Sequence, residues 1–257
     1  MPSKFRDNFE VIDRLRYIAW QLTGARNTFQ GRFRHGPRIS IRPRPSNDFD
    51  TAYEIFHGGI YQTGLAPTDV RRVVDVGGNV GDSCLFWCWR YPGAKVLAFE
   101  PHPEHCGILD WHIRVNNYND RIELIRAGAA SAAGRAVLTD EDDRSTMLTG
   151  SPGKPGSNGV IAIERVDFFA AVGDEPIDIL KMDIEGAEYE LMADPRFDKI
   201  ARRTRCVVME WHVREPSHPG GDWCADRLAK LGFSVEQQPL SVNDAGILIA
   251  RAARMHS

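Results

Sequence analysis

The chain has 257 residues, 42% of them hydrophobic and 26% charged, which is ordinary for a globular protein and long enough for one large α/β core. Its formal net charge of −3 argues against a general affinity for nucleic acid or anionic membrane, and no run approaches the ~18 apolar residues of a membrane span. The five cysteines, odd in number and without a C-x-x-C pair, are expected to be reduced thiols in a cytoplasmic protein.

Charge is spread unevenly. Residues 1–50 carry ten Lys or Arg against five Asp or Glu and read as an N-terminal extension, with one catalytic-size domain over residues 51–257. Within the extension, residues 5–22 place Phe9, Ile12, Leu15, Ile18, Ala19 and Leu22 at helical spacing, an amphipathic helix laid on the domain or on a second copy as a homo-oligomer contact. Asp7, Glu10 and Asp13 interrupt any apolar leader. Residues 24–47, rich in Arg, Gly and Pro, are expected to be extended or looped. Their Arg32, Arg34, Arg38, Arg42 and Arg44 suit either a solvated arm on an acidic body or a dock for an anionic acceptor. A short helix over residues 50–56 then leads to Gly58, Gly59 and Tyr61.

Residues 72–101, RVVDVGGNVGDSCLFWCWRYPGAKVLAFEP, read as strand, glycine turn, helix and second strand. Glycine lets the backbone turn sharply and lie against a ligand. Glu100, 19 positions after Gly81, has the spacing of an acid that reaches ribose hydroxyls from the second strand. A dinucleotide site would need glycine where Asn79 and Asp82 stand. The pattern D-x-G-x-N-x-G, from Asp75 through Gly77 and Asn79 to Gly81, resembles instead the first motif of S-adenosylmethionine (SAM) dependent methyltransferases. His102 and His105 open the next helix, which a metal reading does not improve on.

A third strand over residues 121–127 is followed by a small-residue turn at 128–134, with residues 127–129 as a flat slot for adenine. Residues 135–139 read as a strand and 140–159 as a mobile loop near the pocket. A doubly buried strand (177–183), a helix (185–192), a strand (206–211) ending on Glu210, Trp211 and His212, a helix (222–231) and two strands (233–237, 246–251) complete the chain. Strands and helices alternate, so the fold class is α/β, with a mainly parallel sheet and helices on both faces.

DILKMDIEGAEYE, residues 178–190, together with DVGGNVG, FEP and VVMEWH, resembles the signature of the FkbM-type methyltransferases over about residues 50–250. The resemblance implies a Rossmann-like class I methyltransferase sheet of seven strands, ordered 3-2-1-4-5-7-6 with the last strand antiparallel. It also implies methyl transfer from SAM to a hydroxyl of a sugar, glycolipid or natural product. Gly78 stands where alanine is frequent in the family. The resemblance sets Asp75, Gly77, Gly78, Asn79 and Gly81 around the methionyl part, Glu100 on the ribose, Ala129 near adenine and Asp183 beside the transferable methyl. Asp183 and Glu185 could otherwise be helix caps.

An alcohol needs a base, or a metal that lowers its pKa, to attack a sulfonium. Asp183, Glu210 and His212, at adjacent strand tips, are the catalytic candidates, with His212 or Asp183 as base. The alternative is Mg²⁺ on Asp183 and Glu210; no third acidic ligand is evident, which favours the base. Tyr61, Glu185 and Trp211 are candidate acceptor contacts, as is Trp223. The competing reading is a non-catalytic SAM-fold module that binds RNA or a protein through the basic arm. A base methyltransferase is disfavoured, because neither N/D-P-P-Y nor a Pro-Cys pair occurs.

Overall fold

Residues 72–76, 177–182 and 204–212 are apolar runs with few interruptions, and they form the middle of a seven-stranded sheet, where strands are covered on both faces. The computed structural model describes residues 9–24, 26–141, 144–148, 160–213, 218–239 and 245–253. Helix α1 (Val11–Leu22) precedes a hairpin of β1 (Phe29–Arg32) and β2 (Arg38–Ile41), and α2 (Asp48–Tyr53) widens into a π-turn over Glu54–Gly58. The sheet then begins with β3 (Arg72–Val76), α3 (Asp82–Arg90), β4 (Lys95–Phe99), α4 (Pro103–Val115) and β5 (Ile122–Ile125). Strands β6 (Gly128–Ala130), β7 (Gly134–Glu141), β8 (Arg144–Leu148) and β9 (Val160–Asp167) follow. The remainder is α5 (Phe168–Val172), β10 (Ile177–Met182), α6 (Glu188–Ala193), α7 (Phe197–Arg202), β11 (Thr204–His212), α8 (Gly221–Lys230), β12 (Phe233–Pro239) and β13 (Ala245–Ala252).

The sheet order is β12-β13-β11-β10-β3-β4-β5, parallel except that β13 runs against both its neighbours. Counted along the chain this is 3-2-1-4-5-7-6 with the last strand antiparallel, the order expected. Alternate residues divide the core in two. Val73, Ile179 and Val208 pack under Trp87, Cys88 and Leu109 of α3 and α4. Val74, Leu180 and Val207 pack under Phe168, Leu191, Phe197 and Leu228 from the helices of the opposite face.

Three segments differ from their expected form. Part of the turn expected at 128–134 is strand β6, which pairs with β9 in a second, four-stranded sheet ordered β6-β9-β7-β8. Gly-Ala-Ala has no strand propensity of its own, and its pairing is supplied by the partner strand. Residues 142–143 and 149–159 of the expected mobile loop lie outside the described residues, and 144–148 pair with β7. The Arg-rich stretch is extended, as expected, and forms a hairpin because Ile39 and Ile41 alternate with polar residues and are buried against Phe9, Phe29 and Leu85. Helix α1 docks through Tyr17, stacked on Phe9 and Phe49, rather than through the aliphatic stripe, and Ile12, Leu15 and Leu22 stay exposed. Residues 5–8 of the expected helix lie outside the described residues.

Candidate active site

The sheet places the polar residues of the site on one face. β10 pairs Lys181 with Asp75 on one side and with Val208 on the other. One step beyond the last pair, Met182 with Met209, the same register sets Asp183 opposite Glu210. Asp75, Lys181, Asp183, Glu210 and His212 therefore project on a common side. Trp211, between two of them, points the other way, and its ring lies on Gly221 and Gly246, where a Cβ would approach it to 2.4 and 2.7 Å. That packing occupies the ring expected to meet an acceptor.

Past β3 the backbone turns through Gly77 at φ +86° and Gly81 at φ +102°, conformations that glycine adopts without strain. A Cβ on Gly77 would lie 1.9 Å from the Asp183 carbonyl oxygen, whereas one on Gly78 would find its nearest neighbour at 3.6 Å. Asn79 is left-handed too, at φ 47°, and its backbone N–H donates to Glu100 Oε2 at 2.8 Å. Glu100 Oε1 accepts from His102 N at 2.8 Å and faces His105 Nδ1 at 3.5 Å. The acid is thus held at the tip of β4 with lone pairs to spare for further donors.

Asp75 is not at the surface of this turn. It is fully buried: Oδ2 accepts from Trp87 Nε1 at 3.0 Å and from Cys84 Sγ at 3.5 Å, and Oδ1 faces Lys181 Nζ at 3.3 Å. Lys181, itself 2% exposed, also donates to the Gly77 carbonyl and lies 3.5 Å from Asp183 Oδ2. Burial works against its charge, but Asp75 and then Asp183 outweigh it and hold the ammonium well above the usual lysine range. Asp75 therefore braces the turn from beneath, through Lys181.

Above the turn lies a crevice at the tips of β3, β4 and β10. Gly77, Asn79, Glu100, Ala129 and Asp183 line it, joined by Phe99, His105, Gly128, Leu138, Ile184 and Glu185. Gly128 and Ala129 supply the small side of the slot from β6, and Ala127 is buried. His105 was not evident as a site residue from sequence, because its approach to Glu100 depends on how α4 starts, with the His102 ring accepting from Glu104 N as the helix cap.

Beside Asp183 is a cluster of acids around one histidine. His212 Nε2 lies 3.3 Å from Glu210 Oε1 and 3.7 Å from Glu185 Oε2, and Nδ1 lies 3.3 Å from Glu188 Oε1. Burial alone would push the imidazolium toward neutrality, but Glu188, Glu210, Asp183 and Glu185 together raise its pKa to about 10. Glu210 is raised by burial first and by Asp183 second, against the pull of His212. Tyr61 stacks on Trp87 at 5.0 Å, and burial first of all raises its phenol well above the ordinary value, beside Lys181 and Asp183. Among the described residues, Asp183, Glu185 and His212 bring one ligand-type atom each within 4.8 Å of one another. Glu185 is therefore a third acidic group beside Asp183 and Glu210 that was not evident in the sequence, and His212 Nε2 also faces Glu210, which lies outside that trio.

Glu185 does not cap a helix. It is left-handed at φ 55° in a turn that precedes α6, so the helix starts at Glu188, later than residue 185. Trp223 is near Tyr189, at 5.8 Å between ring centroids. Residues 214–217 lie outside the described residues.

The family model described as "Methyltransferase FkbM domain" matches residues 75–234. Methyltransferase sdnD of Sordaria araneosa is 29% identical over 197 residues, covering 64% of this chain and 74% of that protein. Methyltransferase 1 of Beauveria bassiana is 27% identical over 179 residues, covering 60% of this chain and 71% of its own. 2-O-methyltransferase NoeI of Sinorhizobium fredii is 25% identical over 167 residues, covering 56% of this chain and 64% of its own.

Proposed function

The chain belongs to the FkbM methyltransferase family and is a SAM-dependent methyltransferase; we propose that it methylates a hydroxyl oxygen of a sugar, glycolipid or natural-product acceptor. The observation that carries this reading is the placement of Asp183 between a crevice lined by the glycine turn, Glu100 and Ala129 and a cluster of acids around His212 on the same sheet face. The 2-O-methyltransferase name of one relative agrees with oxygen as the acceptor atom.

The crevice fits SAM: Gly77 lets the turn close against the Asp183 backbone where a Cβ would clash, Glu100 keeps lone pairs for ribose hydroxyls, and Gly128 and Ala129 leave room for a flat base. Bound there, SAM supplies a methyl group on a sulfonium, an electrophile that needs no metal. Asp183 accepts the hydrogen bond of the acceptor hydroxyl and holds its oxygen in line, which converts an encounter into an oriented attack. The hydroxyl proton leaves along that hydrogen bond to Asp183, and Glu210, whose proton affinity burial and then Asp183 raise, stands beside it as the second carboxylate of the site. His212, a cation at neutral pH, cannot take that proton; it steadies the carboxylates around it. In this proposal Asp183 rather than His212 is the base, because the acids around the ring favour its protonated form.

The test is to incubate the protein with SAM labelled in its methyl group and an extract of the cells that make it, and to follow products by mass spectrometry. The expected product gains one labelled methyl on oxygen. Label on nitrogen, or in nucleic acid, would overturn the reading.

A further inference from the structure

The second acid of the E-G-A-E segment, Glu188, has no role in the scheme above, yet it is as deeply enclosed as Asp75, at 0% exposure. Its Oε2 accepts from Gly186 N at 2.8 Å, and its Oε1 accepts from Ile184 N at 2.9 Å and faces His212 Nδ1 at 3.3 Å. A carboxylate withdrawn from water is tolerated only where donors of this kind surround it. Two of the donors come from the turn that carries Glu185 at φ 55° and Gly186 at φ 106°, the turn that also lines the cofactor crevice through Ile184 and Glu185. The third is the imidazole across the sheet tip.

We infer that Glu188 is a positioning residue, which pins the His212 ring with Nδ1–H inward and thereby aims Nε2 at Glu210 on the acceptor side. The two ring nitrogens are not equivalent once one of them is tied to a carboxylate. Without that tie the ring is free to turn its other nitrogen toward Glu210 and lose its grip on the crevice turn. The charged groups that face the ring are Glu188 from α6, Asp183 and Glu185 from the turn, and Glu210 from its own strand. A purely structural role for Glu188, as an acid in the first turn of a helix, would need no histidine.

This rests on the proposed methyl transfer, and the experiment separates the two. Protein with ¹⁵N-labelled histidine is examined by NMR as wild type, Glu188→Ala and Glu210→Gln, with S-adenosylhomocysteine affinity measured on each. The wild type and Glu210→Gln should show an exchange-protected, downfield Nδ1–H of His212. Glu188→Ala, which removes the accepting oxygen, should lose it while still binding S-adenosylhomocysteine, and its kcat on an acceptor identified by the labelling experiment should fall on the order of a hundredfold with little change in KM for SAM. An Nδ1–H that persists in Glu188→Ala overturns the inference and leaves the methyltransferase reading intact. If Glu188→Ala does not fold, the wild-type spectrum decides, because a ring without a protected Nδ1–H there refutes the pinning. Failure of the wild type to bind S-adenosylhomocysteine would count against the function instead.

Discussion

Asp75→Asn removes one charge and almost no volume from the most buried ion pair of the site, so its cost can be reasoned from the structure. Asp75 is fully buried and Lys181 is 2% exposed, 3.3 Å apart. The variant leaves the ammonium with Asp183 at 3.5 Å, a partly exposed partner, and with the Gly77 carbonyl. Breaking a buried pair by neutralising one member costs about 3–5 kcal/mol, because the surviving charge stays buried. For a chain of this size that corresponds to a loss of about 6–20 °C in Tm. Thermal unfolding followed by circular dichroism measures it. Lys181→Met and the double variant complete a cycle in which the double should be less destabilised than the sum of the singles by at least about 1 kcal/mol. Because Lys181 holds the Gly77 carbonyl, cofactor affinity should drop in Asp75→Asn as an indirect effect. A variant that melts within about 2 °C of wild type, or a strictly additive cycle, would refute the bracing role.

Gly77→Ala should cost at least about 2 kcal/mol and abolish measurable SAM binding by calorimetry, since it combines a left-handed backbone with a Cβ 1.9 Å from the Asp183 carbonyl. Gly78→Ala, whose Cβ would meet its neighbours at an ordinary contact distance of 3.6 Å, should change stability by less than about 0.5 kcal/mol. Asp183→Asn should keep SAM affinity within roughly threefold and lose roughly 10²–10⁴ in kcat, measured once the acceptor is in hand. For stability against pH, His212 has its folded pKa raised to about 10 from 6.5, so its contribution is complete below the unfolded value and is lost as pH rises through the folded one. The stability gap between wild type and His212→Gln, from urea unfolding, should therefore shrink by at least about 2 kcal/mol between pH 6 and pH 10; a gap that widens would contradict the ion-paired ring.

The sheet was legible because its strands are long apolar runs set apart by helices, and its order followed from the resemblance carried by DVGGNVG and EGAE. The glycine turn was legible for a different reason: positions that need positive φ or a missing Cβ leave glycine in the sequence, as at Gly77 and Gly81. The crevice lining was legible in part, since Glu100, Ala129 and Asp183 lie along it, but the depth at which each side chain sits was not. Asp75 has the right position in the motif, but a strand residue faces whatever covers that side of the sheet, and here Trp87 covers it. His105 and Glu188 reach the site from the starts of helices, by distances that no linear spacing encodes. The N-terminal stripe is not the face that docks on this chain: periodicity reports an apolar face, whereas ring stacking on Tyr17 decided which face packs here.

The central claim is that the crevice at the tips of β3, β4 and β10 holds the nucleoside with its sulfur beside Asp183. A crystal structure of the protein with S-adenosylhomocysteine tests it most directly. The account predicts ribose hydroxyls within about 3 Å of the Glu100 carboxylate, the adenine against Ala129, and the sulfur turned toward Asp183 and Glu210. A nucleoside bound elsewhere, for instance in the cavity between Arg72, Lys95 and Glu175 at the opposite edge of the sheet, or a sulfur turned away from Asp183, would contradict it.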